Sequence, residues 1–327
     1  MKNALIILVV LTFGLSTAQI GPLLPPINPP PPRPEWVKPG LVVTFSDGMG
    51  QAVIAYLVTR VGPTSAYGLS FRLSQSDAGP NLDIEAGSLY EGGSGPLCLS
   101  EQAVEAMLRN PPPGLQVVGD QGAIGWVIQD ADGVSKYSVR YNPDSGQVVE
   151  MNGSYQGPGG VGARRGAAFH LSLLGASELP WSPPPDFPAV AFQPANYGIY
   201  YLLQGGATPG GTVTVNPINV QMPLATYRLI SNTPGSPSMP QEKQGVPAFG
   251  PHYVHPSLLT RDPIFAFPEI GMTLSQAGQG PNGGVLLVFY VGQTPIQSLE
   301  VDPRSGVVIE ERFSYAGIGT IVYQLMR

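Results

Sequence analysis

Arginine and glutamate recur at matching places along this chain: Arg72 and Glu150 first, then Arg228 and Glu310. Each arginine lies inside a short apolar run, Ser70-Phe71-Arg72-Leu73 and Thr226-Tyr227-Arg228-Leu229. A guanidinium held in a sheet beside a carboxylate forms a charge-assisted pair, and an arginine facing a cavity can hold a ligand. These four residues are the candidate binding set, expected as one ion pair within each half. The other reading of the same residues is a purely structural bridge or surface charge.

Acid and base chemistry has little else to work with. Three histidines are present, and His252 and His255 stand in a His-x-x-His spacing that would put both on one face of a helix and seed a zinc site. Pro256 argues for an extended segment instead, in which residues three apart point to opposite sides. No cysteine lies nearby to complete a ligand set, so no metal is expected. Cys98 is the only cysteine. It can form no intrachain disulfide and reads as a small buried apolar side chain. Asp130-Ala131-Asp132-Gly133 resembles the start of a calcium loop, but the closing glutamate is missing, and the segment reads as a hairpin turn. Gly-x-Ser-x-Gly elbows and Gly-rich phosphate loops are absent. No catalytic residue and no cofactor is therefore expected.

The elements that would carry these residues follow from composition and pattern. Of 327 residues, 42 are glycine and 37 proline, while only 12% are charged and 43% are hydrophobic. That excludes a disordered polyelectrolyte and a coiled coil, and the glycines lack the period of collagen. A turn-rich, mainly β protein is left. The net charge of −6 and the lack of a dense Lys/Arg face exclude nucleic acid as a partner.

The first 18 residues have the form of a secretory signal: Lys2, the apolar run Ala4 to Leu15, then Ser16-Thr17-Ala18. Cleavage there leaves no span for a membrane. Whether the segment is instead kept as an anchor stays open. Residues 19–35 are a Pro-rich linker in extended conformation, read as a stiff spacer.

Beyond the spacer the chain repeats itself in order. Asn142-Pro143-Asp144-Ser145-Gly146 returns as Asp302-Pro303-Arg304-Ser305-Gly306, and Gly95-Pro96 returns as Gly250-Pro251. Trp36 and Trp181 each precede a proline and a strand. The expected organisation is two tandem, internally duplicated antiparallel β-sheet domains, sandwich or half-barrel, each with one short helix. They span 36–176 and 189–327, the second repeat unit beginning near Trp181, with a Pro-rich linker at 177–188. Strands are expected at Ile124–Gln129, Val134–Tyr141, Gln147–Tyr155 and Arg165–Leu174, and again at Gly284–Val291, Ile296–Val301, Val307–Tyr315 and Thr320–Met326. A helix is expected over Glu101–Arg109, capped by Ser100 and stopped by Pro111, with at most a turn or two after Pro256. Gly153–Gly162 and Ser231–Gly250 read as mobile loops.

The function this supports is an exported, non-catalytic binding or structural protein of the cell envelope or extracellular space. Its partner would be an envelope component or an apolar small molecule. The alternatives are a carrier holding an apolar ligand in a curled-sheet cavity, and a hydrolase of envelope polymers, which would need two carboxylates facing each other across a cleft.

Overall fold

The computed structural model describes residues 27–48, 52–76, 79–111, 115–120, 122–130, 133–156, 168–203, 206–235, 238, 240–315 and 319–326. The signal segment, the start of the Pro-rich stretch, Ala131-Asp132 and most of the Gly153–Gly162 loop lie outside these residues.

The first half contains β1 (Leu41–Ser46), β2 (Ala52–Val61), β3 (Ser65–Ser76) and β4 (Gly79–Glu91), helix α1 (Glu101–Arg109), then β5 (Leu115–Asp120), β6 (Ala123–Asp130), β7 (Gly133–Tyr141), β8 (Val148–Gln156) and β9 (Ala168–Glu178). The second contains β10 (Ala195–Leu203), β11 (Gly206–Gln221), β12 (Leu224–Asn232), β13 (Pro240–Gly245) and the two-residue strands β14 (Phe249–Gly250) and β15 (Tyr253–Val254). After a 3₁₀ turn, Pro256–Thr260, come β16 (Phe265–Phe267), β17 (Met272–Gln279), β18 (Val285–Val291), β19 (Thr294–Val301), β20 (Val308–Tyr315) and β21 (Gly319–Leu325).

Both large sheets are antiparallel meanders cut open at the same place. The first runs β4-β3-β2-β1-β9-β8-β7-β6-β5 and the second β13-β12-β11-β10-β21-β20-β19-β18-β17-β16. In each, the opening strand lies mid-sheet and is joined by the closing strand, so the two halves share one strand order. The second adds only β16 at its edge. Neither sheet closes into a barrel.

The repeated turn explains why that motif survived in both halves. Gly146 and Gly306 adopt φ of 70° and 80°, open to glycine at little steric cost. Their carbonyls accept from Leu99 N at 2.8 Å and from Val254 N at 2.9 Å. Asp144 N donates to the Asn142 side chain, and Arg304 N to that of Asp302, both at 2.9 Å. Each turn thus docks on the segment that leads into the short helix. The helix follows the expectation closely: Ser100 caps α1 by accepting from Ala103 N at 3.1 Å. In the second half Pro263 follows soon after, and only the single 3₁₀ turn forms.

Packing ties the halves together. Alternation along β1 sends Val43 and Phe45 to a core under α1 that includes Met107, Trp126, Val139 and Met151. Val42 points the other way, with Ala55, Leu57, Leu69, Phe71 and Leu82, into a core shared with Phe265, Met272, Leu274, Phe289 and Leu299 of the second half. Strand β1 is consequently buried on both faces, all six residues. At about 25 cal/mol per Å² of apolar surface, such a face is one of the larger stabilising terms in the molecule.

The two Pro-rich stretches do not stand free. Tyr90 Oη donates to the Pro32 carbonyl at 3.0 Å and Arg33 N to that of Pro63 at 2.9 Å, so the described end of the first stretch lies against the first sheet. The inter-half stretch is clamped as well. Trp181 donates to the Thr59 carbonyl at 3.0 Å and stacks on Phe265, with Arg261 over its outer face. The expected loop Ser231–Gly250 contains strand β13, whose sequence Pro-Gln-Glu-Lys-Gln-Gly has no apolar alternation because it is an edge strand.

Candidate functional site

The expected ion pairs do not form as drawn. The sheet order sets β3 and β8 four strands apart, about 19 Å at ordinary strand spacing, so Arg72 and Glu150 cannot meet; the same holds for Arg228 on β12 and Glu310 on β20. Each arginine instead pairs with the adjoining outer strand: Arg72 with Glu85 at 3.1 Å, Arg228 with Glu242 at 3.5 Å. Glu150 accepts from Asn152 at 2.8 Å and lies 3.4 Å from Arg140, while Glu310 takes Arg312. The duplication kept the charges, but in two separate sets.

The histidines are structural. His252 is wholly buried, edge-on to Tyr227 and Tyr253, with Nε2 3.0 Å from the Val190 carbonyl, and burial lowers its pKa below the ordinary 6.5. His255 caps the 3₁₀ turn, accepting from Ser257 N at 3.2 Å, the task Ser100 performs in the first half. His170 belongs to an exposed cross-strand cluster, with Ser172 Oγ 3.1 Å from Nε2 and Asn152 against Nδ1. The register places Asn152 opposite His170 and Glu150 opposite Ser172. Because Glu310 stands opposite Gln324, the first-half counterpart of Gln324 is Ser172. Among the described residues no group of three or more His, Cys, Asp or Glu is placed to hold a metal. Cys98 is wholly buried, and its thiol pKa is raised by that burial.

What the sequence did not disclose is a half-enclosed cavity of about 400 Å³ where the first sheet meets the inner face of the second. Leu69, Leu82, Ile84 and Ala86 of β3 and β4 form one wall. Val213, Val215, Leu229 and Leu299, with the rings of Tyr197, Phe313 and Tyr323, form the other. Its rim holds a compact ion cluster across the two halves. Lys243 of β13 lies 3.2 Å from Glu85 and 3.5 Å from Asp83, and Glu85 also holds Arg72.

On the second-half wall, among apolar side chains, sits Glu311. Gln297 Nε2 donates to its Oε1. Burial is the main reason its pKa rises from the ordinary 4.5 to about 7; the charge of Asp83 adds to the rise and the Gln297 hydrogen bond opposes it. Since that Nε2 is committed to the carboxylate, the amide orientation of Gln297 is fixed, and its own Oε1 is buried with no partner among the described residues. A β-bulge delivers Glu311 to this face. Glu300 pairs with Glu310 but Val301 pairs with Val308, so Ile309 is the extra residue and both Val308 and Glu311 line the cavity. The same bulge falls at Val149 in the first half, between the Arg140–Glu150 and Tyr141–Val148 pairs.

No helix among the described residues is long and apolar enough to cross a membrane. No family model and no curated protein matches the chain. Among solved structures it is similar to a protein of unknown function of the DUF3598 family from Nostoc punctiforme. That match has 8% identity and a TM-score of 0.16, over 88% of this chain and 94% of that one.

Proposed function

We propose that this chain is an exported, non-catalytic binding protein of the cell envelope or extracellular space, and that it carries a largely apolar small molecule in the cavity between its halves. The cavity itself carries the reading. Protein interiors leave few voids larger than a water molecule. A space of about 400 Å³ with aliphatic and aromatic walls and a few convergent polar groups has the makings of a ligand site. Export is supported by Lys2, the apolar run Ala4 to Leu15 and the small residues Ser16-Thr17-Ala18.

Hydrolysis is supported less well. Asp83 and Glu311 both line the cavity, but Asp83 is engaged by Lys243 at 3.5 Å, which leaves one uncommitted carboxylate rather than a working pair.

The test is native mass spectrometry of the protein purified from its host, beside an Ala86→Trp variant that fills the cavity. The expected result is a mass excess of one small molecule on the wild type and none on the variant. Wild-type protein at its bare chain mass, or an equal excess on both, would overturn the carrier reading. Recovery in the cytosolic fraction would overturn export.

A further inference from the structure

We infer that the molecule bound in the cavity is an amphiphile whose polar end is a cationic amine, seated against Glu311 and Gln297. The inference rests on reading the cavity as a ligand site and names the chemistry it selects.

Charge accounting at the site comes first. Lys243 and Arg72 are the cations near the cavity, and both are engaged with Glu85, Lys243 with Asp83 also. That cluster is balanced, two positive against two negative. Glu311 lies outside it, and among the described residues no lysine or arginine pairs with it. A carboxylate on an apolar wall with one donated hydrogen bond, from Gln297, and no paired cation is left short of compensating charge.

Gln297 gives the second observation. Its side chain is 94% buried, given its exposure of 6%, and its Oε1 has no partner among the described residues. With Glu311 ionised, as at pH 8, turning the amide would set oxygen against oxygen, so the orientation holds. The site therefore presents the Glu311 carboxylate, with the orphaned Gln297 oxygen closed off beside it. An ammonium group supplies that carboxylate with a charge and donated hydrogen bonds together. A hydroxyl has a single proton to donate, and a carboxylate would be repelled.

The first half shows what these positions hold when no ligand is involved. By the common register, Glu311 corresponds to Met151, each opposite an inward apolar residue, Leu299 or Val139. Gln297 corresponds in the same way to Tyr137. Met151 is buried in an ordinary apolar core. Exchange of a methionine for a glutamate, and of a tyrosine for a glutamine, at adjoining inward positions marks this half as the one with a polar recognition point.

The experiment is calorimetric titration of the mature chain at pH 8 with decylamine, decanol and decanoic acid, each below its micelle concentration. Decylamine should bind at least tenfold more tightly than decanol, and decanoate most weakly. Glu311→Gln should remove the amine preference, bringing decylamine to within about threefold of decanol on the same variant, with the circular dichroism spectrum unchanged. Decanoate binding as tightly as decylamine, or an amine preference that survives Glu311→Gln, would overturn the inference. Equal binding of all three leaves the cavity as an apolar site and removes only the amine. Binding of none removes the cavity as a ligand site and the inference with it.

Discussion

Replacing Glu311 with glutamine should stabilise the protein at alkaline pH, in contrast to most substitutions at covered polar positions. The carboxyl has its pKa raised from 4.5 to about 7 by burial. Between those two pH values the folded chain holds a proton that the unfolded chain has given up. Stability of the wild type therefore falls as pH rises from about 4.5 through about 7, and is level above that range. A displacement of this size corresponds to about 3 kcal/mol at pH 8. Glu311 is only partly covered, so a realised gain of about 1–3 kcal/mol is expected for the variant. Glutamine keeps the shape and still accepts from Gln297, so no cavity is made, and its two new amide N–H donors offset only part of the gain. Urea unfolding followed by tryptophan fluorescence at pH 5, 6, 7 and 8 measures it directly. The two proteins should converge near pH 5 and separate above pH 7. A variant that is less stable at pH 8, or a difference that does not change with pH, would refute the reasoning.

Three other outcomes follow from the packing. Gly306→Ala and Gly146→Ala should each cost about 1–3 kcal/mol, since the added Cβ would lie 2.4 Å from the Val254 carbonyl or 2.5 Å from that of Leu99 at positive φ. Gly292→Ala, with φ of 60° and nothing near, should cost less; equal losses in urea melts would contradict the docking role of the turn. Residues 189–327 expressed alone should bind a hydrophobic dye and melt without cooperativity, because Phe71 and Leu82 no longer cover Phe265 and Phe289; a sharp calorimetric transition would show that this half folds unaided. Cys98 should resist a thiol reagent at pH 8 in the native state and react fully in urea; rapid labelling of the native protein would place the thiol outside the core.

Much of the fold was legible because its signals are local. Ser100, the spacing of Ala103, Val104 and Met107, and Pro111 define α1 within a dozen residues, and glycine-bearing turns punctuate the later strands of each half. The duplication was legible for the same reason: a turn that needs glycine at positive φ keeps its residues. Strand β4 had a readable pattern in Leu82, Ile84 and Ala86, alternating toward the shared core, but Gly79, Pro80 and Gly87 interrupt it. The ion pairs failed for a different reason. Which strands adjoin is a property of the whole sheet, and insertion of the first strand mid-sheet sends Arg72 and Glu150 to separate flanks. Glu311 was hidden by the bulge at Ile309, which reverses the inward parity that simple alternation assigns to Glu310. Lys243 was hidden because edge strands carry polar residues on both sides.

The two halves share a strand order, yet the cavity lies against the inner face of the second sheet alone, and the cause lies in a helix. In the first half α1 is long enough to place Val104 and Met107 into the core beside Met151 and Trp126. In the second, Pro263 arrives within a few residues of Pro256, and the 3₁₀ turn contributes only Leu258 and Leu259. The face left uncovered by the shortened helix is closed instead by the outward face of β2 to β4 from the first half. A flat sheet cannot follow the inner surface of a second twisted sheet along its whole length. Contact is close near Phe71, Phe265 and Phe267, and opens toward Leu82, Ala86 and Tyr323, where the cavity lies. The space thus follows from repeating one plan with a truncated helix, and Gln297 and Glu311 stand on its second-half wall among apolar side chains.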